Sequence, residues 1–385
     1  KNTNAMNKKA TELLKQYGFE RIKAADMIDS YNFEDRKLVE IVKATYFNPK
    51  IVVIDETTTA LSQEGREELY KHMERIRKSG NTVIFISHDL PEIIEKSDTI
   101  TILRDGVYID TVKSKDVNEN DLKKLMVGRE VTGDYYRSDY GEKISDEVVL
   151  SAKHVTVPGL IEDVSFDLHK GEILGFGGLS ESGMHEIGKA IFGASYDREG
   201  TVELADGTQI NDIPTAIKHS IAYTSKDRDN ESVVLNQSIG DNICLPSLDE
   251  LSGPAHLISD KKKKDFANKF AKQMSVKMVD VNQFVSNLSG GNKQKVVLAR
   301  WIGKDSDIVV LDSPTRGIDI KVKQDIYQLM NQMRKNGKSI IMISEELMEL
   351  IGMCDRIMIM KDGKISGELE RDQNLDENGL ITMMV

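Results

Sequence analysis

Two stretches of this sequence repeat one another without a gap, and this repeat limits the possible fold more than any other feature. Asn48–Gly106 aligns with Asp305–Gly363, so that Asp55 pairs with Asp312, 257 positions further on. Chance does not produce an ungapped match of this length. The chain therefore holds two copies of one domain.

The two copies are unequal in length. The second extends upstream to near Val148, whereas only 54 residues precede Asp55 in the first. The sequence predicts the carboxyl-terminal part of a first domain over residues 1–130, a polar linker over 131–147 and a second domain over 148–385. An equally good interpretation makes the first few linker residues an extension of the last strand. Because the chain begins at Lys1, we expect the first copy to lack its amino-terminal half.

Strands and helices alternate in both copies. Ile51–Asp55 is a continuous apolar run, typical of a buried parallel strand, and Arg66–Ser79 has helical periodicity that ends at Gly80. The second copy repeats this order. The sequence therefore predicts an α/β fold with mostly parallel sheets and right-handed crossovers.

Composition narrows the class of protein. Hydrophobic residues make up 39% and charged residues 30%, as in globular proteins with sizeable cores. The net charge of −11 disfavours nonspecific binding to nucleic acid. No apolar run reaches the roughly 18 residues of a membrane-spanning helix. The two cysteines, Cys244 and Cys354, lack metal-ligand spacing and are predicted to be buried thiols.

The end of the first copy's apolar strand carries two acids. The carboxyl edge of an α/β sheet is where ligands bind. There, Asp55 can hold Mg²⁺ through water and Glu56 can orient and deprotonate an attacking water. His88 follows the next strand and can contact a γ-phosphate, although a surface histidine of no special role is the alternative.

The strongest motif is Ser289-Gly290-Gly291, within the sequence NLSGGNKQK. Two glycines and a serine precede a helical pattern, so that exposed N–H groups and the helix dipole suit a phosphate. The alternative is a helix with a flexible entry. Asp312, at the end of the apolar strand that follows, is a second candidate metal ligand.

These motifs resemble one family over nearly the whole chain. LSGGNKQKVVLARW and VVLDSPTRGID resemble the second ATP-binding domain of bacterial ABC sugar importers of the ribose, galactose and xylose type, and VVIDETTTALS and ISHDLPEI resemble the first. The resemblance implies a P-loop NTPase-like fold, ATP and Mg²⁺ as ligands, and a peripheral location on the cytoplasmic face of the membrane. It implies integral membrane permease subunits as partners and, indirectly, an extracytoplasmic solute-binding protein. It also implies that Asp55, Glu56 and His88 face Ser289, Gly290 and Gly291 across one ATP.

The second copy's own phosphate loop departs from the working pattern G-x-x-x-x-G-K-[ST]. It runs from Gly178 to Gly183 and continues with Met184 in place of lysine and His185 in place of serine or threonine. Its backbone could still hold a nucleotide weakly, or the loop could be a structural relic.

Three further losses fall on this same site. In the repeat alignment, Ser313 stands at the position of the base Glu56, and Glu345 stands at the position of His88. In the first copy, Tyr31-Asn32-Phe33-Glu34 stands at the position of the second copy's glycine-rich signature. The sequence thus predicts one competent site and one dead or slow site.

Two other functions remain open. No G-x-x-x-x-G-K pattern precedes Asp55 in this sequence, so we expect weak or no ATP hydrolysis by this chain alone. The first alternative function is therefore a non-hydrolytic module that docks on a permease or a partner ATPase. A tandem ATPase of ribosomes or DNA fits poorly with the short linker and acidic charge.

Overall fold

The computed structural model describes the chain except residues 1, 32, 56, 59–60, 62, 88, 105–106, 128–134, 141–142, 180, 254–255, 319, 373 and 385. Residue contacts divide the chain into two compact units, Lys1–Glu130 and Val131–Val385, called below the first unit and the second unit. Every helix in the described part is too short or too polar to cross a membrane.

The first unit alternates helices with short strands. Its helices are α1 (Thr3–Gln16), α2 (Phe33–Thr45), α3 (Gln63–Lys78), α4 (Leu90–Lys96) and α5 (Glu119–Val127). Its strands are β1 (Ile51–Asp55), β2 (Thr82–Ile86), β3 (Thr99–Arg104) and β4 (Val107–Lys113). Strands β1 and β2 pair in parallel, and β3 and β4 pair antiparallel. The predicted strand at Ile51–Asp55 is confirmed.

Only one face of the β1–β2 pair is buried. Val52 and Ile54 join a core with Leu38 of α2 and Leu69 of α3. The opposite face is apolar but exposed, and its side chains, 45% to 59% exposed, are Ile51, Val53, Ile84 and Ile86. Because nothing in the described first unit covers this face, the continuous apolar run of β1 is not buried on both sides as predicted.

The second unit is larger. Its strands are β5 (Val148–Val157), β6 (Ile161–His169), β7 (Ile173–Gly178), β8 (Glu199–Leu204), β9 (Ile221–Thr224), β10 (Ile308–Asp312), β11 (Ser339–Ile343), β12 (Arg356–Lys361) and β13 (Lys364–Glu370). Its helices are α6 (Met184–Ile191), α7 (Ile213–Lys218), α8 (Ile239–Cys244), α9 (Leu248–Leu251), α10 (Asp260–Gln273), α11 (Gly290–Lys304), α12 (Ile320–Lys335), α13 (Leu347–Met353) and α14 (Glu377–Met384).

The main sheet of the second unit has the order β13-β12-β7-β11-β10-β9 and is parallel except at β13. A separate antiparallel sheet has the order β6-β5-β8. The carboxyl ends of parallel strands meet at one edge, so Gly178 of β7, Asp312 of β10 and Ile343 of β11 end near one another. The predicted mostly parallel α/β architecture is confirmed in this unit.

Helix α6 covers the face that stays open in the first unit, and strand β7 extends the sheet beside it. The counterparts of its four exposed residues, Ile308, Val310, Ile341 and Ile343, are at most 5% exposed. Strand β7 pairs with β11, and α6 approaches so closely at Gly188 that a Cβ there would press on Ile343 and Val310. The helix that follows the predicted phosphate loop thus buries this face.

Part of the predicted linker packs against the second unit. Tyr136 lies over Gly352, where any side chain would collide with its ring. Arg137 is 4% exposed and donates to Asp355 Oδ1 at 2.7 Å and to the carbonyl of Met353 at 2.8 Å. Residues 135–140, called below the docked segment, are therefore fixed by contacts that polar composition alone did not indicate.

Candidate functional site

The predicted phosphate-binding turn begins helix α11. Ser289 is the residue before the helix, and its side chain caps no backbone N–H of α11. Ser289 is exposed and Gly290 and Gly291 are half-buried, at the start of a helix of 15 residues. Free N–H groups and the positive end of the helix dipole therefore face solvent together with a hydroxyl.

Basic side chains lie beside this turn. A Cβ on Gly290 would come within 3.1 Å of the Arg228 guanidinium, which also donates to Gln294 Oε1 at 3.4 Å. Lys293 pairs with Asp229 at 3.1 Å. A Cβ on Gly291, by contrast, would meet only Val322 and Ile318 at ordinary van der Waals distances. Packing within the unit therefore does not require glycine at 291.

The phosphate loop of the second unit joins β7 to α6. Gly183 has a φ of +88°, and a side chain there would collide with the carbonyl of Leu160. A side chain at Gly178 would collide with Ser182. The hydroxyl of Ser182 is buried and has no hydrogen-bond partner among the described residues. Both glycines are thus needed to fold the loop, whether or not it holds a ligand.

Met184 occupies the place of the phosphate-binding lysine. Its side chain is fully buried in the apolar core and carries no N–H donor. Only its main-chain N–H, in the first turn of α6, is available to a phosphate.

His185 turns towards the acid at the end of β10. Since a carboxylate only accepts hydrogen bonds, the Nδ1–H of His185 donates to Asp312 Oδ1, at 2.7 Å. Its Nε2 lies 3.0 Å from Lys226 Nζ and 3.3 Å from Glu345 Oε1. Lys226 donates to the same Glu345 oxygen at 2.6 Å. These four side chains are called below the charged cluster.

Contacts within the charged cluster shift the pKa values of two of its members, His185 and Glu345. Burial alone would lower the pKa of His185, but hydrogen bonds to Asp312 and Glu345 raise it above its ordinary value. The hydrogen bond from His185, acting against burial and together with Lys226, holds the pKa of Glu345 well below its usual range. The carboxylate of Glu345 is therefore stabilised as an anion by internal donors.

The first unit's part of the predicted competent site lies partly outside the described residues. Asp55 ends β1 and is exposed. Glu56 and His88 fall among the residues that the structure does not describe. The neighbours of both are described: Thr58 donates to Glu92 Oε2 at 3.0 Å, and Ser87 donates to the same oxygen at 2.7 Å.

The fold is that of a known class of proteins. A dimeric bacterial ABC transporter cassette superimposes with a TM-score of 0.51 at 22% identity, over 58% of this chain and 99% of that one. A nucleotide-free ATP-binding cassette from an ABC transporter gives 0.52 at 18% identity, over 62% and 99%. The predicted P-loop NTPase-like fold class is confirmed.

Sequence relatives decide the family. The family described as ABC transporter matches residues 161–316. The ribose import ATP-binding protein of Lactococcus lactis subsp. lactis is 40% identical over 98% of this chain and 75% of its own length. The xylose import ATP-binding protein of Thermoanaerobacter pseudethanolicus is 42% identical over 87% and 68%. This chain belongs to the ATP-binding subunits of ABC sugar importers. The predicted resemblance is thereby confirmed.

Within this importer subunit, the structure reveals a network that the sequence reasoning missed. In each unit one buried glutamate, on α4 after β2 or on α13 after β11, accepts hydrogen bonds from a threonine, a tyrosine and a serine. The members are Thr58, Tyr70, Ser87 and Glu92 in the first unit, and Thr315, Tyr327, Ser344 and Glu349 in the second. All four pairs stand 257 positions apart, so identity between the repeats was a signal that could have found them.

Proposed function

We propose that this importer subunit hydrolyses ATP to energise the uptake of a sugar. The competent site, in this proposal, joins Asp55, Glu56 and His88 of the first unit to Ser289, Gly290 and Gly291 of the second. The observation that carries the proposal is the start of helix α11. There an exposed hydroxyl precedes two half-buried glycines that begin a long helix, and packing does not explain the glycine at 291.

The glutamate network supports the roles of the first unit. Thr58 lies two residues after Glu56 and Ser87 immediately precedes His88, and both donate to Glu92. Glu92 thus ties together the two loops that carry the predicted base and the predicted histidine. Loops fixed in this way can hold reactive groups with little reorganisation, as general base catalysis requires.

The chemistry follows from the residue types. The exposed carboxylate of Asp55 fits a Mg²⁺ held through water, and Mg²⁺, when bound, neutralises charge on the β- and γ-phosphates. Glu56 orients the attacking water and accepts its proton. His88 contacts the γ-phosphate. The glycine turn at α11 donates N–H groups to the same triphosphate.

A phosphate loop must complete the first unit's half of this site. The exposed apolar face of β1 and β2 is the face that α6 covers in the second unit, where β7 pairs with the edge of β11. We assign the face to a helix, and the corresponding edge of β2 to a strand, of the same kind, which would bring a phosphate loop to Asp55. Burying the four apolar side chains would contribute roughly 1.5–3 kcal/mol each.

The subunit acts at the membrane in this proposal. It docks on integral permease subunits at the cytoplasmic face, and an extracytoplasmic solute-binding protein delivers the sugar. Relatives named for ribose and xylose import support a sugar as the cargo. The net charge of −11 disfavours nucleic acid as a partner.

The repeat supplies matched variants for the test. Gly291→Glu copies Glu34, its counterpart in the first unit, and should weaken binding of a fluorescent ATP analogue at least about tenfold through like-charge repulsion. Glu34→Ala, at the equivalent position of the first unit, should leave binding of the ATP analogue unchanged. In a protein that also carries the first unit's phosphate loop, Glu56→Gln should abolish Mg²⁺-dependent phosphate release, whereas Ser313→Ala at the equivalent position should not; this chain alone should release phosphate weakly or not at all. Equal effects of the two members of either pair would contradict the proposed site.

The sugar is tested in cells. Uptake of radiolabelled ribose, xylose and galactose is measured with the native gene and with Glu56→Gln. Loss of uptake of at least one sugar is expected, with Ser313→Ala as the control that keeps it. Unchanged uptake of all three would contradict the role in sugar import.

A further inference from the structure

The charged cluster stands where a working phosphate loop would gather Mg²⁺. In the pattern G-x-x-x-x-G-K-[ST], the lysine reaches the phosphates and the hydroxyl binds the ion. Here Met184 is turned into the core, and His185 reaches Asp312 instead. The residue types and their directions both differ from those of a magnesium site, for which oxygen donors are needed.

Internal donors already occupy the carboxylate of Asp312. Its Oδ1 accepts from His185 Nδ1 at 2.7 Å and from Ser313 Oγ at 3.2 Å, and Tyr223 OH lies 3.5 Å from Oδ2. The residue is 1% exposed. A metal ion, or a water bound to one, would have to displace these donors from a buried anion, which is costly.

Lys226 brings an ammonium group to the same place. Its ammonium lies 2.6 Å from Glu345 Oε1 and 3.0 Å from His185 Nε2, and Glu345 stands where the first unit has its histidine. The two carboxylates of the cluster thus face one ammonium and one imidazole. Among the described residues, no group of three or more His, Cys, Asp and Glu side chains is arranged to hold a metal ion.

We propose that His185 and Lys226 replace the divalent ion at Asp312, so that the second unit's phosphate loop binds no Mg²⁺, with or without nucleotide. The hydrogen bonds of the cluster hold both carboxylates through its own side chains. Asp312, predicted as a metal ligand from its place at the end of β10, is then an anchor for His185. The inference depends on the proposed function only in taking this loop as a nucleotide site.

The test counts metal ions rather than turnover. All proteins carry Asp55→Asn, which removes the first unit's candidate ligand. Mn²⁺ replaces Mg²⁺, and its free concentration is read from the electron paramagnetic resonance signal with ADP present, against an ADP blank. The chain has one tryptophan, Trp301 in α11, so its fluorescence also gives the thermal midpoint of the second unit.

Asp55→Asn should bind no Mn²⁺ above the blank, and Mn²⁺ should leave the midpoint unchanged. Adding His185→Thr and Lys226→Glu removes the imidazole and the ammonium and returns a hydroxyl to the loop. This protein should bind one Mn²⁺ per chain, and Mn²⁺ should raise its midpoint. Adding Asp312→Asn to that protein should abolish both gains.

A bound Mn²⁺ in the Asp55→Asn protein that Asp312→Asn removes would overturn the inference. That comparison does not depend on the folding of the triple variant. Such a result would not affect the comparison of Glu56→Gln with Ser313→Ala, which tests the proposed function. Likewise, a negative result in that comparison would not change the number of metal ions counted here.

Discussion

Single buried carboxylates join several parts of each unit. Glu349, 1% exposed, accepts from Thr315 after β10, Tyr327 of α12 and Ser344 after β11. Burial, and then the charge of Glu349, raise the pKa of Tyr327 well above its ordinary value, so that Tyr327 remains a hydrogen-bond donor at any physiological pH. A buried carboxylate that loses a donor is left partly unsatisfied, which costs free energy.

Tyr327→Phe removes one of these donors and should lower the free energy of unfolding of the second unit by about 2 kcal/mol. Urea unfolding followed by Trp301 fluorescence measures the change. Tyr108→Phe, at an exposed position, is the control and should have no effect. A Tyr327→Phe protein as stable as the control would mean that the hydrogen bond to Glu349 contributes nothing.

At the scale of elements, the docked segment is held by a buried ion pair. Arg137 and Asp355 are 4% and 7% exposed, and Asp355 also accepts from the backbone N–H of Ile173 at 2.8 Å. Removing the arginine leaves a buried carboxylate without its charged partner, which is strongly destabilising.

Arg137→Ala should therefore lower the stability of the second unit by about 3 kcal/mol and speed proteolysis within residues 135–147. Lys143→Ala, an exposed residue of the same region, is the matched control. Cleavage of both variants at the rate of the native chain would show that the segment is held by something other than Arg137.

The two copies of the central strand should respond differently to the same substitution. Val53 is 58% exposed on β1, whereas its counterpart Val310 is fully buried on β10. In this chain, where the face of β1 is uncovered among the described residues, Val53→Lys should change stability by no more than about 0.5 kcal/mol, while Val310→Lys should unfold the second unit. Equal tolerance of lysine at both positions, measured by thermal unfolding, would contradict the difference in burial.

At the scale of the whole molecule, the repeat explains why so much could be predicted. Periodic apolar runs and the offset between Asp55 and Asp312 predicted the fold class, and the glycines at 290 and 291 predicted the start of helix α11. Side-chain direction could not be predicted, since the sequence does not show that Met184 enters the core or that His185 reaches Asp312 and Lys226. The packing of the docked segment was also missed, because Arg137 finds its partner more than 200 residues away.

The central claim is that Glu56 of the first unit and Ser289 of the second close over the same triphosphate. Glu56→Cys with Ser289→Cys in one chain tests it with a short bismaleimide crosslinker. The native Cys244 and Cys354 are buried, and burial raises the pKa of the Cys244 thiol to about 11, so neither competes for the reagent.

The account predicts a crosslink within one chain that ATP strongly increases, and none in either single-cysteine variant. A yield that ATP does not change, or crosslinks found only between chains, would contradict the shared site.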